Sequence, residues 1–246
     1  MTLIGIDTGG TFTDFVLWSD GGMRIHKVLS TPEAPERAIL LGITELGLDP
    51  QGLAMVHGST VATNAVLEGK GARTLYVGNR GLEGLLAIGR QARSDLYDLQ
   101  PPPRQPLAPP ALCHGTAGRL AADGAHLDPL TPPDLVGLRK AVRRAQPESV
   151  AVNLLFSYLD DGPERAIAAA LPPGLFVTRS SEVLPVAGEL ERGVVTWLNA
   201  RVGPLVGRHL ERLGGGLPGA RIAVMQSRGE TSAACRAPRH AVRLLL

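Results

Sequence analysis

The chain has 246 residues, 44% hydrophobic and 20% charged, with 25 basic against 23 acidic side chains and a formal net charge of +2. That composition excludes a chain disordered throughout and supports a sizeable core, and the length suits one large domain or one and a half. The basic residues are scattered: a helical face around HLERLG and the tail RAPRHAVR are locally basic and read as solvated surface, so nucleic acid is not expected as the main partner.

The two cysteines, Cys113 and Cys235, fall in loop-like contexts without a CxxC pair or a histidine at ligand spacing. A disulfide framework and a zinc site are therefore not expected, and a reducing compartment is the simple reading. No charged n-region and apolar h-region precede Gly5, and no apolar run approaches the roughly 18 residues of a membrane span. We expect a cytoplasmic protein with no membrane partner.

Apolar runs at 3–6, 12–18 and 23–29, separated by glycine-containing turns, predict a β-meander. Ile39, Leu40, Ile43 and Leu46 recur at helical spacing within 37–48, with Gly47 as a stop. A strand leads into His57, Thr60 is placed to cap a helix running to Leu67, and 73–77 reads as the next strand. Strand and helix alternating after a meander predict an α/β fold, a mixed sheet with helices on both faces.

The stretch QPPPRQPLAPP at 100–110 cannot be helix or central strand, because proline fixes φ and lacks the donor, and it reads as an extended crossing. Beyond it the pattern predicts a helix over 134–145, a buried strand over 149–156 and a short helix over 163–171. A strand over 175–178, a long helix over 186–213 ended by GGG, and a last strand over 221–226 complete the chain.

The connection DTGGTFTD is too rich for an ordinary turn. Gly9 and Gly10 permit a backbone concavity with inward amides, Thr8, Thr11 and Thr13 offer hydroxyls to phosphate oxygens, and Asp7 is placed to hold a magnesium ion through water. The same residues also describe a hairpin turn with threonines in its strands. His57, Ser59 and Thr60 before a helix suit an anion or a substrate carboxylate, or else the hydroxyls cap the helix and His57 packs on the sheet. Asn64 falls one turn beyond Thr60 on the same face. Arg90, Gln91, Arg93 and Tyr97 form either an anion clamp or a solvated loop with Tyr97 tucked beneath it. Glu189, Glu191 and Arg192 open the long helix, where the carboxylates favour the helix dipole without any catalysis.

Three motifs, GIDTGGTFTDFVL, VHGSTVATNAVLEGKGART and IGRQARSDLYDL, resemble the A-type subunit of the hydantoinase and 5-oxoprolinase family, and the likeness continues through VNLLFSYLDDGPE, SSEVLPVAGELERGVVTWLNARV and VMQSRGE. The resemblance implies an actin-like ATPase (ribonuclease H-like) lobe at 1–178, the start of a second, incomplete lobe at 179–246, and ATP and Mg2+ as cofactors. It implies ATP-dependent opening of a cyclic amide such as 5-oxoproline, a hydantoin or a lactam: ATP phosphorylates the amide oxygen and water attacks the activated carbon. A B-type hydantoinase subunit is the implied partner.

Carried onto this sequence, Asp7 and His57 take catalytic roles, with Asp7 also near the metal. Gly9, Gly10, Thr11 and Thr13 face the phosphates, and Ser59, Thr60, Asn64, Arg90, Gln91 and Arg93 the substrate. Asp14 fits the pattern in a metal or structural role.

The family usually has threonine at Ser59, often an aromatic at Leu190, and Asn-Gly-Gly where Arg228, Gly229 and Glu230 stand. Relatives also run on into a Ser-Gly-Pro-Ala-Gly-Gly motif. From this we expect a chain lacking its carboxyl-terminal half, inactive alone, with an apolar LLL end left unburied. A non-catalytic binding or assembly subunit, a related small-molecule kinase and a ketone carboxylase subunit are the alternatives.

Overall fold

Burial alternates along the first two strands, the period imposed on a sheet with one covered face. The computed structural model describes residues 2–19, 22–92, 97, 99–100 and 105–245. In chain order the elements are β1 (Leu3–Thr8), β2 (Phe12–Ser19), β3 (Gly22–Leu29), α1 (Pro35–Glu45), β4 (Ala54–Ser59), α2 (Val61–Leu67), β5 (Thr74–Asn79), α3 (Leu85–Ile88), β6 (Cys113–Thr116), β7 (Arg119–Leu120), β8 (His126–Asp128), α4 (Pro132–Ala145), β9 (Ser149–Val152), α5 (Gly162–Ala170), β10 (Phe176–Arg179), α6 (Ser180–Val183), α7 (Glu189–Gly216), β11 (Arg221–Met225) and β12 (Thr231–Ala233). Short 3-10 segments lie at Pro110–Leu112 and Ala237–Leu244.

The chain divides into two compact units, Met1–Gly71 with Val202–Leu246, and Ala72–Arg201. This division differs from the family segments at 1–178 and 179–246, because the continuous helix α7 gives residues to both units.

Unit 1 is built on a six-stranded mixed sheet of order β12-β11-β4-β1-β2-β3. β1–β2, β2–β3 and β11–β12 pair antiparallel, while β4 runs parallel to both β1 and β11. Ile4, Ile6, Phe15, Leu17, Met55 and Val224 form one core with Ile39 and Ile43 of α1, Ala62 of α2 and Val206, Leu210 and Leu213 of α7. Gly42 of α1 is required by this packing: a Cβ there would stand 2.2 Å from Cζ of Phe15.

The apolar chain end is not left unburied, since Ala241 and Leu244 join the same core at 0% and 4% exposure. On the opposite face of the sheet Trp18 and Ile25 remain 54% and 71% exposed, with Val16 and Met23 beside them.

Unit 2 carries a four-stranded parallel sheet of order β10-β9-β5-β6. All residues of β5 and β9 are buried, as befits strands covered on both sides. Leu75, Val77, Val150 and Val152 pack with Leu138 of α4 and Ile167 of α5, whereas Tyr76 and Ala151 pack with Leu86 of α3 and Trp197 and Ala200 of α7. Helices on both faces thus describe unit 2, and in unit 1 the described helices share one core on one face.

The strand expected over 149–156 stops at Val152, and the following turn places Phe156 at φ 58°. The three glycines of GGG lie in the last turn of α7 and do not stop it before Gly216. Cys113 opens β6 and is not a loop residue. Residues 101–104 of the proline-rich crossing lie outside the described residues.

Candidate functional site

The β1–β2 turn is a hairpin. The Gly9 amide donates to the Phe12 carbonyl at 3.0 Å, and neither Gly9 nor Gly10 adopts positive φ, so the expected inward-facing nest of amides does not form. Ser30, just after β3, locks the turn: its hydroxyl donates to the Gly9 carbonyl at 2.8 Å, its amide reaches the Thr11 carbonyl at 2.9 Å, and Thr13 Oγ1 completes the chain by donating to Ser30 Oγ at 2.9 Å. The Thr13 hydroxyl, fully buried, is therefore engaged within the protein, and Thr11 is exposed.

A cavity of about 320 Å³ opens beside this turn, entirely within unit 1. Its walls come from Thr8, Gly9 and Gly10, from the β3–α1 connection, from Thr60, Val61, Asn64 and Ala65 at α2, and from Leu205, Arg208, His209 and Arg212 of α7. Thr60 Oγ1 donates to the Thr8 carbonyl at 3.2 Å and accepts from Asn64 Nδ2 at 3.3 Å, which ties the first and second motifs together. Thr60 occupies the N-cap position of α2 without capping it; the Val61 amide donates to Ser59 Oγ at 3.3 Å instead. Ser59 does not line the cavity.

His57 also lies outside the lining, with no exposed surface, behind His209. The two Nε2 atoms are 3.1 Å apart, so one ring donates and the other accepts. Burial, and secondarily the His209 ring, push the His57 pKa down to about 3, and burial likewise lowers His209. His209 Nδ1 faces Glu36 Oε2 at 3.4 Å, and Arg212 Nε donates to Glu36 Oε1 at 2.6 Å. Burial works against the Glu36 carboxylate, but the Arg212 and His209 hydrogen bonds hold its pKa below the usual value.

Asp7 alternates with Thr8 on β1 and projects from the opposite, exposed face. Its Oδ1 would be 3.0 Å from a Cβ at position 58, so Gly58 of the HGST motif leaves room for this carboxylate. Asp14 faces Asp7 across the ladder and pairs with Lys27 at 2.9 Å. Among the described residues no group of three or more His, Cys, Asp or Glu side chains could hold a metal ion.

Arg90 and Gln91 belong to unit 2, where Arg90 pairs with Glu191 and Gln91 adopts φ 52°. Arg93 lies outside the described residues. Tyr97 is 92% exposed and is not tucked under the loop.

Arg192 has no exposed surface and donates to Asn153, Ser180, the Leu154 and Val186 carbonyls and Glu189, which gives it a structural role. The Gly229 position keeps the positive φ, 83°, that the altered RGE loop put in question.

The sequence reading missed Arg208, His209, Arg212, Ser30 and Glu36. The spacing 205, 208, 209, 212 is one helix face, but a basic face reads as solvated until the cavity beside it is known.

The profile of the hydantoinase/oxoprolinase N-terminal region matches residues 3–172. The chain belongs to the hydantoinase/oxoprolinase family. The caprolactamase alpha subunit of Pseudomonas jessenii is 32% identical over 225 residues, 85% of this chain and 32% of that protein. A 5-oxoprolinase of Pestalotiopsis fici is 30% identical over 87% of this chain and 20% of its own length. This family member therefore spans a third or less of the length of these two relatives.

The crystal structure of the ATP-dependent caprolactamase from Pseudomonas jessenii superimposes with a TM-score of 0.85 at 31% identity, covering 99% of this chain and 38% of that one. A nucleotide-free acetone carboxylase shares the fold at a TM-score of 0.84 and 24% identity, over 99% of this chain and 38% of that one. The fold is that of the actin-like ATPases. Among the described residues no helix is long and apolar enough to cross a membrane.

Proposed function

We propose that the chain acts as the front part of an A-type subunit in the ATP-dependent hydrolysis of a cyclic amide, with a B-type subunit and the carboxyl-terminal portion present in longer relatives as partners, in the cytoplasm. The observation that carries this reading is the meeting of Thr8, Gly9 and Gly10 with Thr60 and Asn64 around one cavity, two motifs some fifty residues apart joined by the Thr60 hydroxyl.

ATP, when bound, supplies the phosphoryl group that activates the amide oxygen. The turn at Gly9 and Gly10 gives that group a close backbone approach, since a side chain at Gly10 would meet only open space. Thr60 and Asn64, held by each other, orient the amide.

Asp7 suits magnesium, which takes one or two carboxylates and retains water and phosphate oxygens as its other ligands. Asp7 projects from the sheet face opposite Thr8 and does not line the cavity, so a magnesium ion held by it would sit beside the turn and reach a phosphate only past Gly9 and Gly10, while Asp14 is already held by Lys27. His57 serves as a positioning residue that fixes the His209 ring from behind. Arg90 and Gln91 are kept in this reading as candidate substrate contacts, with Glu191 pairing with Arg90, and Arg93 is kept on the family pattern alone.

The test incubates the chain with its B-type partner and the carboxyl-terminal portion, ATP, Mg2+ and, in turn, 5-oxoproline, caprolactam and hydantoin. Ring-opened product formed only with ATP is expected, with Asp7→Asn slowing it by about a hundredfold or more. ADP release with an intact phosphorylated ligand would favour a kinase, bicarbonate-dependent turnover of a ketone a carboxylase subunit, and partner binding without turnover an assembly subunit.

A further inference from the structure

We propose that the open face of the unit 1 sheet is a self-association surface, on which a second copy of this chain docks face to face about a two-fold axis. This goes beyond the function proposed above and does not rest on it.

Residues opposite one another in neighbouring strands share a face of the sheet, so the registers assign this one strand by strand. Val16 stands opposite Ile25, Trp18 opposite Met23 and Phe12 opposite Leu29. On the inner strands Trp18 adjoins Leu3 and Val16 adjoins Gly5, and beside these stand Ala54 and Val56 of β4 and then Ala223 of β11. Helices α1, α2 and α7 pack with the residues of opposite parity, such as Ile4, Phe15, Leu17 and Met55. The open face is thus one continuous apolar surface running from β3 to β11.

Its size decides what it needs. Phe12, Val16, Trp18, Met23, Ile25 and Leu29 are between 41% and 71% exposed. At about 180 Å² for a large side chain, these six leave roughly 600 Å² of apolar surface in water. The largest patch on a typical monomer is about 300–600 Å², and a stable dimer buries about 800 Å² on each partner. Six side chains alone reach the upper bound for a monomer, and Leu3 with the inner strands brings the face to the size of a dimer interface.

Its shape suits a copy of itself. The outer strands β2 and β3 carry the bulky Trp18, Met23 and Ile25, whereas the inner strands carry Gly5, Ala54, Val56 and Ala223. A ridge therefore lies beside a shallow strip. A two-fold rotation sets the ridge of each copy on the strip of the other, an isologous contact between stacked sheets that closes at two copies. Charge is kept toward the ends of the strands: Asp7, with Asp14 paired to Lys27, toward one end, and Arg221 at the other. An apolar middle with a charged rim is the anatomy of a protein interface.

The experiment measures the mass of the purified chain by sedimentation equilibrium over a concentration series and follows tryptophan fluorescence in parallel. Of the two tryptophans, Trp197 is 6% exposed and Trp18 54%, so a change on association reports Trp18. We expect a species of twice 25.9 kDa that dissociates on dilution, with the emission moving to longer wavelength as it does.

Ile25→Glu puts a charge into the contact from a side chain that is 71% exposed in the single chain, which spares the fold, and should weaken the dimer by about a hundredfold or more. Trp18→Gln is the second variant and should weaken it in the same direction, while Leu67→Glu, an apolar position of α2 that is 79% exposed, should leave it unchanged. Circular dichroism checks that each variant is folded. A mass of 25.9 kDa at every concentration, a dimer indifferent to both Ile25→Glu and Trp18→Gln, or open-ended assembly beyond two copies would each overturn the proposal. So would a chain that stays monomeric alone and whose Trp18 emission moves to shorter wavelength only when the B-type subunit or the carboxyl-terminal portion of a longer relative is added, a result that gives the face to that partner.

Discussion

The two sheets of this chain treat their faces differently. In unit 2 every residue of β5 and β9 is buried, and the buried charges are saturated: Arg192 has five kinds of partner, and Glu164 accepts from the Leu154 and Ser181 amides and both serine hydroxyls at 180 and 181. In unit 1 one face is packed and the other leaves Trp18 and Ile25 in the open, while the buried polar groups near the cavity include an unpaired hydroxyl and two neutral imidazoles sharing one hydrogen bond. Polar groups that are buried and fully bonded specify a fold, and those left wanting partners beside a cavity mark where a ligand is handled. Unit 2 also holds buried polar atoms without a partner, Asn79 Nδ2, Thr116 Oγ1 and Trp197 Nε1, so what sets unit 1 apart is that its unpaired hydroxyl belongs to a residue lining the cavity.

The largest expected effect breaks the saturated side. Arg192→Met removes the buried guanidinium from Asn153, Ser180, two carbonyls and Glu189, leaving those buried acceptors unpaired and the half-buried carboxylate uncompensated, and should destabilise unit 2 by about 3–5 kcal/mol in chemical denaturation.

Next is pH, which acts on unit 1. A histidine whose folded pKa lies below its unfolded value takes up a proton on unfolding, so its contribution is fully present above about 6.5 and is lost as pH falls toward the folded value. With His57 at about 3, stability should drop by about 2 kcal/mol between pH 6.5 and 5, with a further loss from His209. His57→Gln should flatten that slope, and an unchanged slope in the variant would remove His57 from the account.

Gly42→Ala should cost unit 1 about 1–3 kcal/mol despite the gain in helix propensity, because the new methyl meets the Phe15 ring. Its thermal midpoint against wild type measures this. Smallest is Arg90→Ala, which removes an exposed pair with Glu191 and should change stability by less than about 0.5 kcal/mol. A substantial loss of substrate turnover with so little loss of stability would assign Arg90 to binding.

The meander, α1, α4, the long helix and the parallel strands were legible because apolar period and punctuation agreed along each of them. Short elements such as β6, β7, β8 and β12 were not, since two to four residues carry too little periodicity to register. At the site, Thr60 and Asn64 were legible as neighbours one turn apart on a helix. The engagement of Thr13 by Ser30 was not, because it depends on β3 returning seventeen residues later beside the hairpin turn.

By itself the sequence determined the family, the α/β class and the two motifs that meet at the cavity, because these depend on local pattern and on long specific strings. Only the tertiary structure decided which side chains are consumed and which remain available. It buried His57 behind His209, turned Asp7 to the face opposite Thr8, and brought a basic helix face from the far end of the chain to the cavity wall. Those outcomes depend on strand alternation and long-range packing, which no local stretch encodes alone.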